Sequence, residues 1–360
     1  MLTRRAMLAA CAGAVPALAG AARGSTSDQD KDREKTKTSL GLVIHSFPIR
    51  GGRDRGKPPG ERFGDPLRYL EYCRSIGAGG VQVGIGVRDD SYADSLRARA
   101  EMLSMYVEGV ISLPREDADV ARFDAEVRTC KRAGASIVRT AMLSGRRYET
   151  FDSLASFRRF AERGERSLAL AAPVVARHDV KLAVENHKDW RADELLALLK
   201  RAGNDHIGIC VDTGNSISLL EDPMEVVEAL APRALSTHIK DMAVEEYPEG
   251  FLLSEVPLGT GFLDLPRIVR VLRSARPEIR WVLEMITRDP LRIPCLTERY
   301  WATFPDLPAR HLARALSLVR AHRPEQPLPR ISGLSPEAQL RAEDDNIVRC
   351  LAYWRERLMM

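Results

Sequence analysis

Between residues 40 and 286 eight short apolar runs alternate with longer stretches of helical spacing. The runs are LGLVIHSF (40 to 47), GGVQVGIG (79 to 86), YVEGVISL (106 to 113), ASIVRTAM (135 to 142), VKLAVEN (180 to 186), HIGICVDT (206 to 213), ALSTHIKD (234 to 241) and IRWVLEMI (279 to 286). Among the intervening segments, ADELLALLKRAG places Leu195, Leu196, Leu198 and Leu199 on one face and ends at Gly203, where a C-cap glycine stops a helix. Strands that alternate with helices pair in parallel through right-handed crossovers. Eight such units over roughly 280 residues predict an α/β fold of the (β/α)8 TIM barrel type. A doubly wound sheet is the rival, but SFPIRGGRDRG after the first strand has no GxGxxG turn.

The ends of the chain read differently. MLTRRAMLAACAGAVPALAGAARG joins an Arg4-Arg5 pair to an Ala/Leu/Val run and then to small residues at Ala17-Leu18-Ala19 that suit a signal peptidase. Residues 1 to 22 are therefore expected to be a twin-arginine export signal and the protein periplasmic. LAAC ending at Cys11 also resembles a lipoprotein cleavage box, but the apolar region between Arg5 and Cys11 is short for a lipid-anchored form. Residues 23 to 38 mix acids and bases with almost nothing apolar and read as a disordered linker. The barrel is expected to occupy 39 to 322. A C-terminal helical extension at 323 to 360 puts Ile347, Leu351 and Trp354 on one stripe, suited to packing on the barrel's outside or on a second copy in a homo-oligomer.

The 54 basic and 50 acidic side chains leave a net charge of +4, too small a field to imply nucleic acid or an anionic membrane as partner. No interior stretch is long and apolar enough for a membrane span. With Cys11 in the leader, Cys73, Cys130, Cys210, Cys295 and Cys350 are odd in number and widely spaced, so they form neither a disulfide framework nor a zinc ribbon.

Polar groups punctuate the last four strands. Glu185, Asp212, His238 and Glu284 each stand at a strand end, one βα unit apart except where a long connection at 241 to 262 enlarges the third interval. All four are expected at the C-terminal rim, where the chemistry of such barrels sits. Three carboxylates meeting there repel by about 4 kcal/mol per pair at ~4 Å and an effective dielectric near 20. Lys240 or Lys188 would offset part of this. The oxygen-rich set with one imidazole suits a divalent metal ion, Mn²⁺, Mg²⁺ or Co²⁺ with Zn²⁺ also compatible, and leaves two octahedral positions for substrate oxygens.

With LAVENHKDW, GICVDTGNS, STHIKDM, VPLGTGFLDLPRIV and WVLEMI in view, the chain from about residue 40 to 290 resembles the xylose isomerase-like TIM barrel family. That family includes sugar isomerases and epimerases, inosose-handling enzymes and metal-dependent apurinic endonucleases. The resemblance implies that Glu185, Asp212, His238 and Glu284 bind one ion, and that Glu185 and Glu284 flank a small carbohydrate and move a proton beside its carbonyl. Strand alternation turns His187 to the side of Glu185 and Lys240 to that of His238, as candidate substrate contacts with Asn215. Arg139 and His45 are candidates to reach the pocket.

Three departures bear on substrate. Many epimerase-like members carry histidine where this chain has Asn215, which can hydrogen-bond a hydroxyl but cannot shuttle a proton near neutrality. Gln82 stands where relatives often show glutamate, and Gly-Thr-Gly at 259 to 261 replaces a frequent Gly-Glu-Gly. The expected function is sugar isomerisation or epimerisation. A lyase or dehydratase acting on an oxidised sugar or glycoside through the same enediolate is the alternative. A non-catalytic sugar-binding barrel ranks below both, as does an endonuclease, whose histidine-rich three-zinc cluster finds only His45, His187 and His238 near strand ends. The connection holding Glu245, Glu246, Tyr247 and Phe251 reads as a lid or a solvated excursion.

Overall fold

A computed structural model describes residues 38 to 54 and 56 to 359. The leader read at 1 to 22 and all but the last residue of the linker at 23 to 38 lie outside the described residues. All eight predicted strands are present. They are β1 (Leu40–Val43), β2 (Gly80–Val83), β3 (Tyr106–Val110), β4 (Ile137–Thr140), β5 (Lys181–Glu185), β6 (Ile207–Asp212), β7 (Ala234–His238) and, after an inserted hairpin, β10 (Trp281–Leu283). The sheet runs β10-β1-β2-β3-β4-β5-β6-β7, and each neighbouring pair is parallel. Ile239, just past β7, bridges Leu283 in parallel and closes the barrel.

These strands read as apolar runs because both faces are covered, by side chains inside the barrel and by helices outside. The helix Ala192–Ala202 shows how the outer layer is specified. It buries Leu195, Leu198 and Leu199, the Glu194 carboxylate accepts from the Arg191 backbone N–H at its start, and Gly203 stops it at φ 56°. Register then sets the rim: Glu185 pairs with Cys210 across β5 and β6, and Asp212 with His238 across β6 and β7.

The connection expected to be a loop or lid at 241 to 262 is mostly a β-hairpin. β8 (Asp241–Tyr247) and β9 (Gly250–Val256) pair antiparallel, and β11 (Leu291–Ile293) adds to β9. Every residue of β9 is buried. Val244, Phe251, Leu253 and Ile293 form a second apolar core with Tyr300 and Val319, the latter from the helix Ala309–Ala321. Alternating apolar residues on both arms drive this pairing, with Pro248 and Glu249 at the turn. The segment is a packed layer, which corrects the lid reading.

Because the helix Ala309–Ala321 is engaged with that second sheet, the outer wall beside β10 and β1 is completed by the last helix, Pro336–Tyr353. Its Ile347, Cys350 and Leu351, with Trp354, belong to the main barrel core. Trp354 lies 5.2 Å from Trp281, ring centre to ring centre, and donates from Nε1 to Ser39 Oγ at 3.1 Å. The Glu343 carboxylate accepts from the Ile49 and Arg50 backbone amides at 2.7 and 3.0 Å. The Ile347, Leu351 and Trp354 stripe is thus covered within the chain. The five described cysteines are free and buried, and no helix among the described residues is long and apolar enough to cross a membrane.

Candidate metal centre at the barrel rim

Glu185, Asp212, His238 and Glu284 converge, each offering a ligand atom within 4.8 Å of the others, and all four side chains are buried. Glu185 and His238 are the last residues of β5 and β7, Asp212 is the last of β6, and Glu284 follows β10 directly. His238 Nδ1 stands 3.5 Å from Glu185 Oε1 and 3.8 Å from both Asp212 Oδ2 and Glu284 Oε1. Oxygen ligands on opposite sides of a small dication at about 2.1 Å are about 4.2 Å apart, so a slight contraction suits one ion.

Two buried atoms make the fit specific. His238 Nδ1 and Asp212 Oδ2 have no hydrogen-bond partner. Buried polar atoms rarely go unpaired, and these two stand 3.8 Å apart within the cluster. Asp212 Oδ2 does lie 2.8 Å from the Lys240 ammonium, but without the alignment of a hydrogen bond. The other Asp212 oxygen accepts from the Gly214 and Asn215 backbone amides at 2.9 and 2.8 Å, which fixes the carboxylate plane.

The ring of His238 is oriented from behind. Its Nε2 lies 2.8 Å from Gln82 Oε1, while Gln82 Nε2 donates to Glu108 Oε2 at 2.9 Å and Ser236 Oγ donates to the same oxygen at 2.7 Å. The Glu108 carboxylate can only accept from the amide, so the Gln82 carbonyl must face the imidazole. Nε2 therefore carries a proton and Nδ1 is the nitrogen that faces the cluster. There, against burial, neighbouring anionic groups including Glu185 and Glu284 raise the ring's pKa well above its usual value, so that an ion bound there would displace a second proton from Nδ1. The relay spans β2, β3 and β7, which is why motif reading missed Glu108.

Cations occupy the remaining faces. Arg139 donates from Nη2 to Glu185 Oε2, and Asn215 Nδ2 donates to Glu185 Oε1 at 3.0 Å. Lys240 Nζ lies 2.5 Å from Glu284 Oε2 and 3.9 Å from Glu255 Oε1, and Glu255 is held by Arg288 at 2.6 and 3.1 Å. Burial would raise the pKa of both glutamate ligands. The guanidinium of Arg139 overrides it at Glu185 and the ammonium of Lys240 at Glu284, so both sit well below the usual carboxylate range. Asp212 is pushed up by burial, which Lys240 offsets only in part.

Of the other residues singled out in the sequence, Asn215 is fully engaged by the protein. Its Oδ1 accepts from Lys188 and, at 3.4 Å, from Lys240. His187 lines the cleft above the cluster with a buried, unpartnered Nδ1, and burial followed by the Lys188 charge lowers its pKa to about 3. His45 and Arg139 line the same cleft of about 970 Å³, with Glu284 and Arg288. His45 Nδ1 is 3.9 Å from Glu284 Oε1. Glu255 and Arg288 escaped notice because they come from β9 and the segment after β10, and nothing local marks them.

Comparison with known proteins bears on the family and the fold. The family model of the xylose isomerase-like TIM barrel matches residues 70 to 303. A 3-oxo-isoapionate decarboxylase from Pectobacterium atrosepticum is 32% identical over 119 residues, covering 32% of this chain and 43% of that protein. The uncharacterized protein YihM of Escherichia coli is 23% identical over 172 residues, 48% of each. The chain thus spans less than half the length of either relative. Among solved structures, a D-psicose 3-epimerase determined in the presence of D-fructose superimposes with a TM-score of 0.57 at 16% identity, covering 90% of this chain and all of that one. A Mycobacterium smegmatis protein in complex with magnesium gives a TM-score of 0.53 at 18% identity, covering 77% of this chain and 97% of that one. At such identities the likeness to the solved structures is one of fold. Since the family model takes in most of the barrel, from the first outer helix to beyond Glu284, the chain belongs to the xylose isomerase-like TIM barrel family.

Proposed function

We propose that this protein is a divalent-metal-dependent enzyme that moves a proton on a carbon beside a carbonyl of a carbohydrate, giving isomerisation or epimerisation. The observation that carries the reading is the pair of unpartnered buried atoms, Asp212 Oδ2 and His238 Nδ1, facing two ionised glutamates under an open cleft. A dication held by Glu185, Asp212, His238 and Glu284 would draw electron density from a substrate carbonyl and its neighbouring hydroxyl, making the intervening C–H more acidic. Glu284 lines the cleft and is placed to take that proton. Glu185, held by Arg139 and Asn215, stays ionised against the opposite side and serves as its partner in returning a proton. His187 and Lys240 are the candidate contacts for substrate oxygens, His187 as a neutral imidazole.

A second reading has one observation in its favour. The decarboxylase relative acts on a 3-oxo acid, and loss of CO₂ or of a β-leaving group passes through the same kind of stabilised enolate. Incubating the manganese-loaded protein with ketoses, aldoses, 3-oxo glycosides and 3-oxo aldonates in D₂O tests both. Deuterium in recovered sugar supports isomerase chemistry, and a deuterated, shortened product supports the lyase reading. No exchange with any of them, by protein shown to hold its ion, refutes proton transfer. The leader supports export by the twin-arginine route, which a reporter fused to residues 1 to 38 tests against an Arg4→Lys, Arg5→Lys control.

A further inference from the structure

Asp189 apart, which is buried with only backbone amides as partners, the buried charges around the site balance before any ion is added. Glu185, Asp212, Glu284 and Glu255 are matched by Arg139, Lys240, Lys188 and Arg288, which lie among them. Behind His238, Glu108 has Arg280 at 4.0 Å, and at the mouth of the cleft Asp65 has Arg88 at 3.4 Å. Three carboxylates around a dication usually sum to about −1, a setting that accepts a neutral sugar. Here the same ion leaves an excess of about +1 to +2, according to whether the buried Asp189, which is in no ion pair, is ionised, on side chains buried beneath the cleft, where unbalanced charge is costly.

Two unused donors point to what compensates it. Arg139 spends Nη2 on Glu185, but its Nε is buried without a partner while the side chain lines the cleft. Arg288 spends Nε and Nη2 on Glu255, and its Nη1 has no hydrogen bond among the described residues. Lys188 is buried and hydrogen-bonds only to the neutral amide of Asn215.

We propose that the cleft takes a carboxylate-bearing carbohydrate in preference to a neutral sugar, with Arg288 receiving the carboxylate. This rests on the metal-dependent reading above and names the substrate class for the same site. A guanidinium supplies in-plane donors to a carboxylate, and the excess positive charge adds a long-range preference that a hydroxyl cannot satisfy.

Calorimetric titration of the full chain, metal-free and Mn²⁺-loaded, with galacturonate against galactose and gluconate against sorbitol, tests this. In the loaded protein each acid should bind at least tenfold more tightly than its neutral partner, and in the metal-free protein the two should agree within about threefold. Arg288→Gln should reduce the loaded preference to threefold or less, and Arg288→Lys should retain most of it; Mn²⁺ stoichiometry in each variant reports an intact site. Equal or tighter binding of the neutral sugars by loaded protein, or no binding of either acid at millimolar concentration, overturns the proposal and leaves the metal-dependent reading standing. Failure of the chain to bind Mn²⁺ overturns both.

Discussion

Replacing Gln82 with leucine separates orientation of a ligand from bulk stability. The substitution removes the acceptor 2.8 Å from His238 Nε2 and one of the two donors to Glu108, whose other donor, Ser236 Oγ, remains at 2.7 Å. A buried N–H left unpaired costs about 1–3 kcal/mol, so the folded state should lose about that much. The imidazole also loses the contact that keeps its proton on Nε2. Removing a partner that orients a ligand lowers metal affinity by roughly 10–100-fold, equivalent to about 1.4–2.7 kcal/mol. Ser236→Ala is the matched control, since it takes a donor from the same Glu108 oxygen but leaves the His238–Gln82 contact in place. Titration calorimetry with Mn²⁺ near pH 7.5, paired with thermal unfolding, should show weakened metal binding for Gln82→Leu alone and reduced stability for both. Wild-type affinity in Gln82→Leu, or equal losses of affinity in the two variants, would refute the claim that the relay sets the tautomer.

The remaining expectations concern stability and the site's contents. Added Mn²⁺ should raise the melting temperature of chelator-treated protein in a concentration-dependent way, by the equivalent of about 2.7 kcal/mol at a hundred times Kd, and Asp212→Ala should abolish the shift. Glu284→Gln should slow deuterium exchange into substrate by roughly 10²–10⁴-fold, measured by NMR, if Glu284 takes the proton. Asp189 is buried with only the Leu143 and Trp190 amides as partners, and burial raises its pKa to about 7. A carboxyl raised on folding stabilises fully below its unfolded pKa, near 4, and loses that contribution as pH climbs through 7. Metal-free protein should therefore lose up to about 4 kcal/mol between pH 4 and 8 from this group, a slope that chemical denaturation of Asp189→Asn should lack. Gly261→Ala should cost about 2–4 kcal/mol in denaturant unfolding. A Cβ there would stand 2.2 Å from Asp241 Oδ1 and 2.4 Å from the Met242 carbonyl, disrupting a turn whose three amides, from Gly259, Gly261 and Leu263, converge with that of Met242 on the Asp241 carboxylate.

The barrel was legible because parallel strands covered on both faces must be apolar runs, and because a polar residue ending such a run has few places to be except the rim. Glu185, Asp212 and His238 announced themselves this way, as did Glu284 one residue past its strand. The hairpin was missed although Met242 and Val244 on one arm and Phe251 and Leu253 on the other alternate as half-buried strands do. Its acidic residues drew attention first, yet Glu245 accepts from the Leu328 amide and Glu246 pairs with Arg320, so their charge marks packing of the chain's last third. Of the charge pairing at the site, only the part taken by Lys240 and Lys188 was legible. Arg139 and Glu185 are 46 residues apart, and Gln82 and His238 are 156 apart, and no local pattern ties either pair. Asn215 illustrates the limit best: its position after Asp212 suggested a substrate contact, while the contacts that occupy it come from Glu185, Lys188 and Lys240.

The wall between the first and last staves is made from residues 336 to 358, and this sets the order in which the molecule can be finished. Residues through 354 must leave the ribosome before Trp354 can cover Trp281, so the strand Leu40–Val43 waits for a segment made long after it. A nascent chain stalled at residue 330 would carry all four residues of the candidate metal centre yet present an open greasy seam, a natural target for chaperones.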